Sequence, residues 1–318
     1  MRYTEINGIN VSGMSLGTVQ LGLNYGIANN EGKPDREKSL SILKAAIDSG
    51  ITAFDTARSY GDSEDVLGLF FKSNPNLKEK VFITTKLSSG LPAGSQPGDV
   101  EKTLVNSVET SLQKLELPKV NCLMLHNASD MTVHGRVVSD ALRSFIKDGL
   151  ADMAGVSVYH PHEIDLMLKD DVYRAVQLPL NVMDQRFLKS GALERLNDRG
   201  IYIFIRSVFF QGLMLLDPGK IDDPDLIKHA VPHIKTLRAL SEKAGMSVPQ
   251  FAVTFLRDLP GAVSLVLGAD NVSQTVENAS LFSAGSLDEN LRQLTLSSFD
   301  NFDYEGVMSV LRKPKSQG

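Results

Sequence analysis

The feature that most constrains the fold of this chain is a regular alternation of two kinds of segment. Short runs that are apolar throughout alternate with longer segments that carry apolar residues on one helical face. Runs without a polar alternate face are typical of parallel strands that are covered on both sides. The apolar runs are MSLG at 14–17, TAFD at 52–55, VFITTK at 81–86, VNCLMLH at 120–126, DMAGVSV at 152–158, RAVQL at 174–178, IYIFIR at 201–206 and AVSLVLG at 262–268.

Helical periodicity and helix-capping residues fill the intervals between these runs. Apolar residues recur at helical spacing over residues 36–49 and 100–115, and a further helix is predicted over 63–72. Ser247 and Asn271 are each followed three residues later by Gln, which is the spacing of a capping box at a helix N-terminus. The pattern therefore predicts repeated strand–helix units.

Eight strand–helix units predict a single (β/α)8 TIM barrel that comprises residues 1–318 as one domain. An open, doubly wound parallel sheet is the alternative. Before the first strand, Gly8 and Gly13 mark the turns of a short β-hairpin. The interval between the seventh and eighth strands is the longest, and it has room for a loop near 207–225 and one extra helix.

Composition and charge restrict the partners of the chain. The formal net charge is −5 without a long basic run, which argues against nucleic acid or an anionic membrane surface as a partner. No stretch reaches the roughly 18 apolar residues of a membrane span, and the first residues lack the apolar core of a signal peptide. The single cysteine, Cys122, excludes an intrachain disulfide and a cysteine zinc cluster, and we interpret it as a small buried apolar residue. We expect a cytoplasmic protein without a bound metal.

Most of the predicted strands end in a side chain that can donate, accept or transfer a proton. In a (β/α)8 barrel the C-terminal ends of the strands meet at one rim, where the chemistry of such barrels takes place. Tyr60 follows the second strand in the adjoining loop. The polar residues at the strand ends are Asp55, Lys86, His126, Ser157, Gln177 and Arg206, in the order of the second to the seventh strand.

Four of these side chains together predict a proton donor for a carbonyl oxygen. A phenol has a reference pKa of about 10, and a nearby ammonium lowers that pKa because it stabilises the phenolate. Tyr60 and Lys86 provide the phenol and the ammonium, Asp55 keeps the ammonium charged, and His126 hydrogen-bonds the substrate oxygen. Reduction of the carbonyl also requires a hydride donor.

The chain resembles the aldo-keto reductases over almost its full length. The blocks GTVQLG at 17–22, GITAFDTARSYG at 50–61, TTKL at 84–87 and MLHN at 124–127 follow the order and spacing of that family. The resemblance implies a (β/α)8 barrel, a nicotinamide cofactor and the reduction of a small-molecule aldehyde or ketone to an alcohol. The implied catalytic tetrad is Asp55, Tyr60, Lys86 and His126, with Tyr60 as the general acid.

The resemblance also implies a set of residues that bind the cofactor, NADP(H) in most of the family. Ser157 and Gln177 would hold the carboxamide, Thr18 would lie near the ribose or pyrophosphate, and residues 268–278 would hold the adenine half. The lack of a GxGxxG motif argues against a Rossmann-type cofactor site. The implied cofactor-binding residues are Gly17, Thr18, Asp55, Ser157, Gln177, Arg206, Ser207, Gly212, Gly268, Ala269, Gln274, Glu277 and Asn278.

Three positions depart from the family pattern. Val158 stands where many members have Asn beside the carboxamide-binding Ser, so one donor is missing. Arg206 stands where many have an aromatic ring against the nicotinamide, and its guanidinium would either stack there or bind an acidic or phosphorylated substrate. Residues 268–278 hold no Lys or Arg, whereas a 2′-phosphate requires cations. NAD(H) is therefore a credible cofactor unless Lys or Arg from 207–230 supplies the charge.

Two other functions agree with the same residues. A nicotinamide-binding sensor or regulatory subunit would use the same barrel without catalysing turnover. Lys86 at a strand end would also suit a Schiff-base aldolase.

Overall fold

The computed structural model describes residues 1–27, 29, 32–87, 92 and 94–311. Its centre is a closed barrel of parallel strands in the order β10-β3-β4-β5-β6-β7-β8-β9, preceded by an antiparallel β1–β2 pair. The strands are β1 (Tyr3–Ile6), β2 (Ile9–Ser12), β3 (Met14–Gly17), β4 (Ala53–Asp55), β5 (Phe82–Leu87), β6 (Val120–Leu125), β7 (Ala151–Ser157), β8 (Tyr173–Pro179), β9 (Tyr202–Arg206) and β10 (Ala262–Gly268).

The barrel strands coincide with the apolar runs of the sequence, so the (β/α)8 prediction is confirmed and the open-sheet alternative is wrong. Strand boundaries differ from the predicted ones by one or two residues; Thr52, for example, precedes β4. The apolar pattern arises because nearly every strand residue is buried, either inside the barrel or under the helices.

The antiparallel β1–β2 hairpin covers the N-terminal end of the barrel. Asn7 and Gly8 have φ values of 51° and 82°, a left-handed turn that glycine tolerates well. Ile6 and Val11 are fully buried against interior side chains of the barrel, including Phe82. The hairpin thus keeps water out of this end and leaves the opposite rim accessible.

Helices surround the barrel and begin where the sequence places capping residues. The side chains of Ser247 and Asn271 accept hydrogen bonds from the backbone N–H of Gln250 and Gln274, as predicted. The helices are α1 (Val19–Gly22), α2 (Arg36–Asp48), α3 (Ser63–Ser73), α4 (Pro97–Leu115), α5 (Asp130–Val133), α6 (Gly135–Lys147), α7 (His162–Met167), α8 (Arg186–Lys189), α9 (Ala192–Asp198), α10 (Pro224–His229), α11 (Val231–Lys243), α12 (Val248–Arg257), α13 (Val272–Ser280), α14 (Glu289–Ser298) and α15 (Tyr304–Leu311).

The connection from β9 to β10 contains the predicted extra helix. It is formed by α10 and α11, which meet at Ala230, and α12 then leads into β10. A short irregular helix, Phe210–Leu215, precedes them at the rim of the barrel. Within the part of the chain that the structure describes, no helix is both long and apolar enough to cross a membrane.

Candidate functional site

The polar strand ends lie together at the C-terminal rim of the barrel. The register pairs Gly17 with Asp55, Asp55 with Thr84 and Ser157 with Gln177, so neighbouring strands end at the same level. A cavity of about 720 Å³ opens there. Its lining includes the predicted residues Gly17, Asp55, Tyr60, His126, Ser157, Gln177, Arg206, Ser207, Gly212, Gly268, Gln274, Glu277 and Asn278.

Lys86 lies beneath the floor of this cavity, in contact with Asp55 and Tyr60. Its Nζ donates to both carboxylate oxygens of Asp55, at 2.7 and 2.8 Å, and to the Thr56 carbonyl at 3.1 Å. The Tyr60 hydroxyl is 3.5 Å from the same Nζ, which lies 5.0 Å from the centre of the Tyr60 ring. Because Lys86 is only 1% exposed, these groups hold its charge in one place.

His126 completes the cluster from the end of β6. Its ring lies edge-on to the Tyr60 ring, with the ring centres 5.7 Å apart. Its Nδ1 is 3.1 Å from the Ser59 hydroxyl. The structure therefore brings the four residues of the predicted tetrad, Asp55, Tyr60, Lys86 and His126, into contact; we call this group the Lys86 cluster.

The pKa values in this cluster follow from burial and from the Asp55–Lys86 pair. Burial lowers the pKa of Lys86, but its ion pair with Asp55 and its hydrogen bonds to Asp55 and Tyr60 outweigh burial, so the pKa is raised. Burial also lowers the pKa of His126 to about 4, with a smaller contribution from Lys86. At neutral pH the site thus contains a charged ammonium and a neutral imidazole.

The pKa of Tyr60 differs in direction from the sequence-based expectation. Lys86 does lower it, as predicted, but burial of the phenol raises it by more, and the net shift is upward. The negative charge of Asp55 also raises the pKa of Tyr60. Tyr60 is therefore a protonated phenol at neutral pH, which is the form that a general acid requires.

Close backbone approach fixes the loop that carries Tyr60. A Cβ on Gly22 would lie 1.7 Å from the Tyr60 carbonyl oxygen, so only glycine fits at the end of α1. Gly61 has a φ of 58°, and a Cβ there would lie 2.3 Å from the Gly22 carbonyl oxygen. Thr56 and Ser63 close the loop through a 2.6 Å hydrogen bond between their hydroxyls.

Ser157, Gln177 and Arg206 form a second wall of the cavity. The Gln177 side-chain amide donates to Asp55 Oδ1 at 2.7 Å, which joins this wall to the Lys86 cluster. The Arg206 guanidinium lies 4.2 Å from the centre of the Tyr159 ring and donates to the Val158 carbonyl at 3.0 Å. The Val158 side chain has no hydrogen-bond donor and is fully buried, so this position contributes none to the cavity.

The turn after β9 has a strained backbone. Ser207, Phe210 and Gln211 all have positive φ values, between 50° and 61°, and Gly212 follows at 92°. Non-glycine residues in this region each cost about 1–3 kcal/mol, and such strain clusters at ligand-binding sites. Phe210 anchors the turn, because its buried ring stacks on Tyr304 of α15 with the ring centres 6.3 Å apart.

The β10–α13 segment forms the far end of the cavity. Gln274 accepts a 2.7 Å hydrogen bond from the Asp270 backbone N–H through its side chain, and Asn278 donates to the Gly268 carbonyl at 3.1 Å. Asn29 donates to Asp270 Oδ1 at 3.1 Å, so the loop after α1 also contacts this segment.

Two predicted cofactor-binding residues do not line the cavity. Thr18 is fully buried beneath the rim, where its hydroxyl donates to the Asp55 carbonyl at 2.9 Å. Ala269 is 1% exposed and packs into the core between two residues that do line the cavity. The family resemblance implied both residues, but it does not distinguish side chains that face the cavity from those that face the core.

Several lining residues were not predicted from the sequence. The most informative are Gln20 on α1, Tyr25 and Asn29 in the following loop, and Tyr159 after β7. Tyr159 had a usable signal, since it directly follows a predicted strand. The other three come from α1 and the loop after it, whose path the sequence pattern does not specify.

The cavity fits a nicotinamide nucleotide in size and in donor set. Its volume lies within the range of about 300–1,000 Å³ that is usual for ligand pockets. Gln20 Oε1 is buried in the cavity wall without a hydrogen-bond partner among the described residues, and buried polar atoms normally have one. Ser157 and Gln177 supply a hydroxyl and an amide suited to a carboxamide.

Comparison with known proteins agrees with the geometry. The model of the Aldo/keto reductase family matches residues 13–294. An L-glyceraldehyde 3-phosphate reductase of Escherichia coli K12 is 26% identical over 309 residues, with 87% of this chain and 86% of that protein covered. A putative voltage-gated potassium channel subunit beta of Schizosaccharomyces pombe is 29% identical, with the same coverage.

A solved structure shows the same fold. The holo form of an aldo-keto reductase from Bacillus halodurans superposes with a TM-score of 0.75 at 17% identity, covering 93% of this chain and 96% of that one. The family match spans most of the chain and includes all four residues of the Lys86 cluster. This protein therefore belongs to the aldo/keto reductase family of NAD(P)H-dependent oxidoreductases.

Proposed function

We propose that this protein reduces an aldehyde or ketone to an alcohol, with Tyr60 as the general acid. The observation that supports this most directly is the position of the Lys86 ammonium, between the Asp55 carboxylate and the Tyr60 hydroxyl. A fixed positive charge beside a phenol stabilises the phenolate that remains when the phenol gives up its proton. Proton transfer to a carbonyl oxygen becomes easier for that reason.

The reaction adds a hydride to the carbonyl carbon and a proton to its oxygen. A nicotinamide nucleotide supplies the hydride when it is bound. Tyr60 donates its proton to the oxygen, and Lys86 stabilises the resulting phenolate through its charge. Asp55 keeps Lys86 protonated and in place. His126, neutral at physiological pH, hydrogen-bonds the carbonyl oxygen and orients it toward Tyr60.

Ser157 and Gln177 are proposed to hold the carboxamide of the cofactor, and residues 268–278 its adenosine half. The charge of the cavity favours NADH at least as much as NADPH. Among the described lining residues, the β10–α13 end contributes the acids Asp270 and Glu277 and no cation, and the 207–215 turn contributes none either. A 2′-phosphate in this region would lack the cationic partner that it normally has.

A steady-state and binding experiment tests the proposal. NADH and NADPH are titrated by their own fluorescence, and their oxidation is then measured over a panel of aldehydes and ketones. Tyr60→Phe should bind the cofactor with unchanged affinity and lose about 100–10,000-fold in kcat, which is the usual contribution of a general acid. Tyr202→Phe removes a phenol hydroxyl outside the cavity and serves as the matched control. Turnover of Tyr60→Phe at the wild-type rate would contradict the role of Tyr60.

A regulatory subunit that binds the nucleotide without turnover is the second candidate. The similarity to the putative potassium channel subunit of Schizosaccharomyces pombe favours it. Tight cofactor binding with no oxidation by any carbonyl of the panel would support this alternative. The Schiff-base aldolase is disfavoured because Lys86 is buried and its pKa is raised, whereas imine formation requires a neutral amine.

A further inference from the structure

Arg206 is the only Lys or Arg among the described residues that line the cavity. Lys86 lies beneath the lining and is committed to Asp55. The other charged lining residues are acids, and two of them, Asp270 and Glu277, lie at the β10–α13 end. Among the described lining residues, an anionic group that enters the cavity therefore has a single cation to bind.

The Arg206 guanidinium contacts uncharged groups of the described chain. One nitrogen donates to the Val158 carbonyl at 3.0 Å, another is 3.4 Å from the Ser207 hydroxyl, and the Tyr159 ring lies 4.2 Å away. Within the described part of the chain, no carboxylate forms an ion pair with this partly buried arginine. A buried arginine normally has a partner of opposite charge. Because Arg206 has no such partner among the described residues, its positive charge is available to a ligand.

The field of Arg206 reaches the groups that are proposed to bind the carbonyl oxygen. Its charge lowers the pKa of both Tyr60 and His126, although burial and Lys86 have larger effects. His126 is neutral, so it does not compete for an anion. A small substrate whose carbonyl lies at Tyr60 therefore has its other end within the influence of Arg206.

We propose that Arg206 binds the carboxylate or phosphate of an anionic carbonyl substrate, which makes the protein a reductase of acidic or phosphorylated aldehydes or ketones. This inference rests on the proposed carbonyl-reductase function. The planar guanidinium binds both kinds of anion through paired N–H groups, and it lies 4.2 Å from the centre of the Tyr159 ring. Arg206 then sets substrate choice, while Tyr60 and Lys86 perform the proton transfer.

The test compares substrates that differ only in charge. Succinic semialdehyde is paired with butanal, and glyceraldehyde 3-phosphate with glyceraldehyde; the two pairs separate a carboxylate from a phosphate preference. Arg206→Gln should lower kcat/KM for the anionic member of the preferred pair about 10–100-fold more than for the neutral member, as expected for the loss of a charged hydrogen-bonding contact. Arg206→Lys should recover part of the loss. Arg174→Gln, an exposed charge on β8 outside the cavity, is the control for net charge.

Two further outcomes would overturn the inference. An equal loss for neutral and anionic substrates, together with weaker NADH and NADPH binding, would assign Arg206 to the cofactor instead. Equal kcat/KM for charged and neutral members in the wild type would show that the cavity does not select anions.

If no carbonyl is reduced at all, the proposed function fails. Titration of the cofactor-loaded protein with succinate and glycerol 3-phosphate still decides the inference, since wild type should bind one of them and Arg206→Gln should not.

Discussion

At the scale of single residues, burial sets the protonation states of the site. Lys86 stays charged because Asp55 compensates for its desolvation. His126 and Tyr60 stay neutral because burial outweighs the opposite charges near them, Asp55 for His126 and Lys86 for Tyr60. Cys122, fully buried on β6 inside the barrel, has a raised pKa for the same reason, in agreement with its interpretation as an apolar residue. The same low-dielectric environment thus produces one ion pair and two neutral proton donors or acceptors.

The low pKa of His126 makes a prediction about pH dependence. A free histidine titrates near pH 6.5, but His126 should remain neutral until the pH falls toward about 4. We therefore expect kcat/KM for a neutral aldehyde to show no acid limb between about pH 5.5 and 7.5. A limb near pH 6.5 in the wild-type profile that disappears in His126→Gln would contradict this assignment.

At the scale of elements, helix α3 holds the loop that carries Tyr60 to the next strand. Glu64, in the first turn of α3, is 1% exposed. It forms an ion pair with Arg58 in the loop and accepts a 2.7 Å hydrogen bond from the Thr85 hydroxyl on β5. Thr85 directly precedes Lys86. One buried carboxylate therefore connects the segment of Tyr60 with the strand of Lys86, which makes Glu64 a positioning residue.

We predict that Glu64→Gln weakens both the fold and the alignment of the site. Arg58 would lose its charged partner at a largely buried position. Breaking a buried ion pair costs about 3–5 kcal/mol of stability. The cost should be smaller here because Gln retains hydrogen bonds. Urea unfolding measures this cost, and kcat should fall while KM changes little. Asp65→Asn is the matched control on the same helix, since its exposed ion pair with Lys114 should contribute less than about 1 kcal/mol. Equal effects of the two variants would argue against the positioning role.

At the scale of the whole molecule, the hairpin and the barrel share one interior. Ile6 of β1 is buried against the inner side chains of the barrel strands. We propose that residues 1–318 form a single domain that unfolds in one transition. Ile6→Ala should lower the free energy of unfolding by about 2–5 kcal/mol, the usual cost of truncating a buried isoleucine, without splitting the transition. Calorimetry checks this, with the exposed Glu5→Ala as control. An earlier, separate transition in Ile6→Ala would show that the hairpin unfolds independently.

The sequence by itself determined the barrel fold and which residues meet in the Lys86 cluster. Apolar runs without alternation are a local property, and each one specifies a strand that is covered on both faces. Parallel strands in a closed barrel all end at one rim, so a polar residue at a strand end is placed near the others by topology alone. For that reason Asp55, Lys86, His126 and, in the adjoining loop, Tyr60 could be predicted to meet.

Only the tertiary structure decided which way side chains point and how strongly they are desolvated. Thr18 and Ala269 face the core, whereas Gln20 on α1 and Tyr25 in the following loop reach the cavity, and no local pattern distinguishes them. The upward pKa shift of Tyr60 likewise depends on how much water the assembled barrel excludes, which is a sum over groups distant in sequence. The local sequence pattern specifies helices and strands because hydrophobic periodicity is a property of neighbouring residues. The protonation state and the orientation of a side chain depend on all the groups that pack around it.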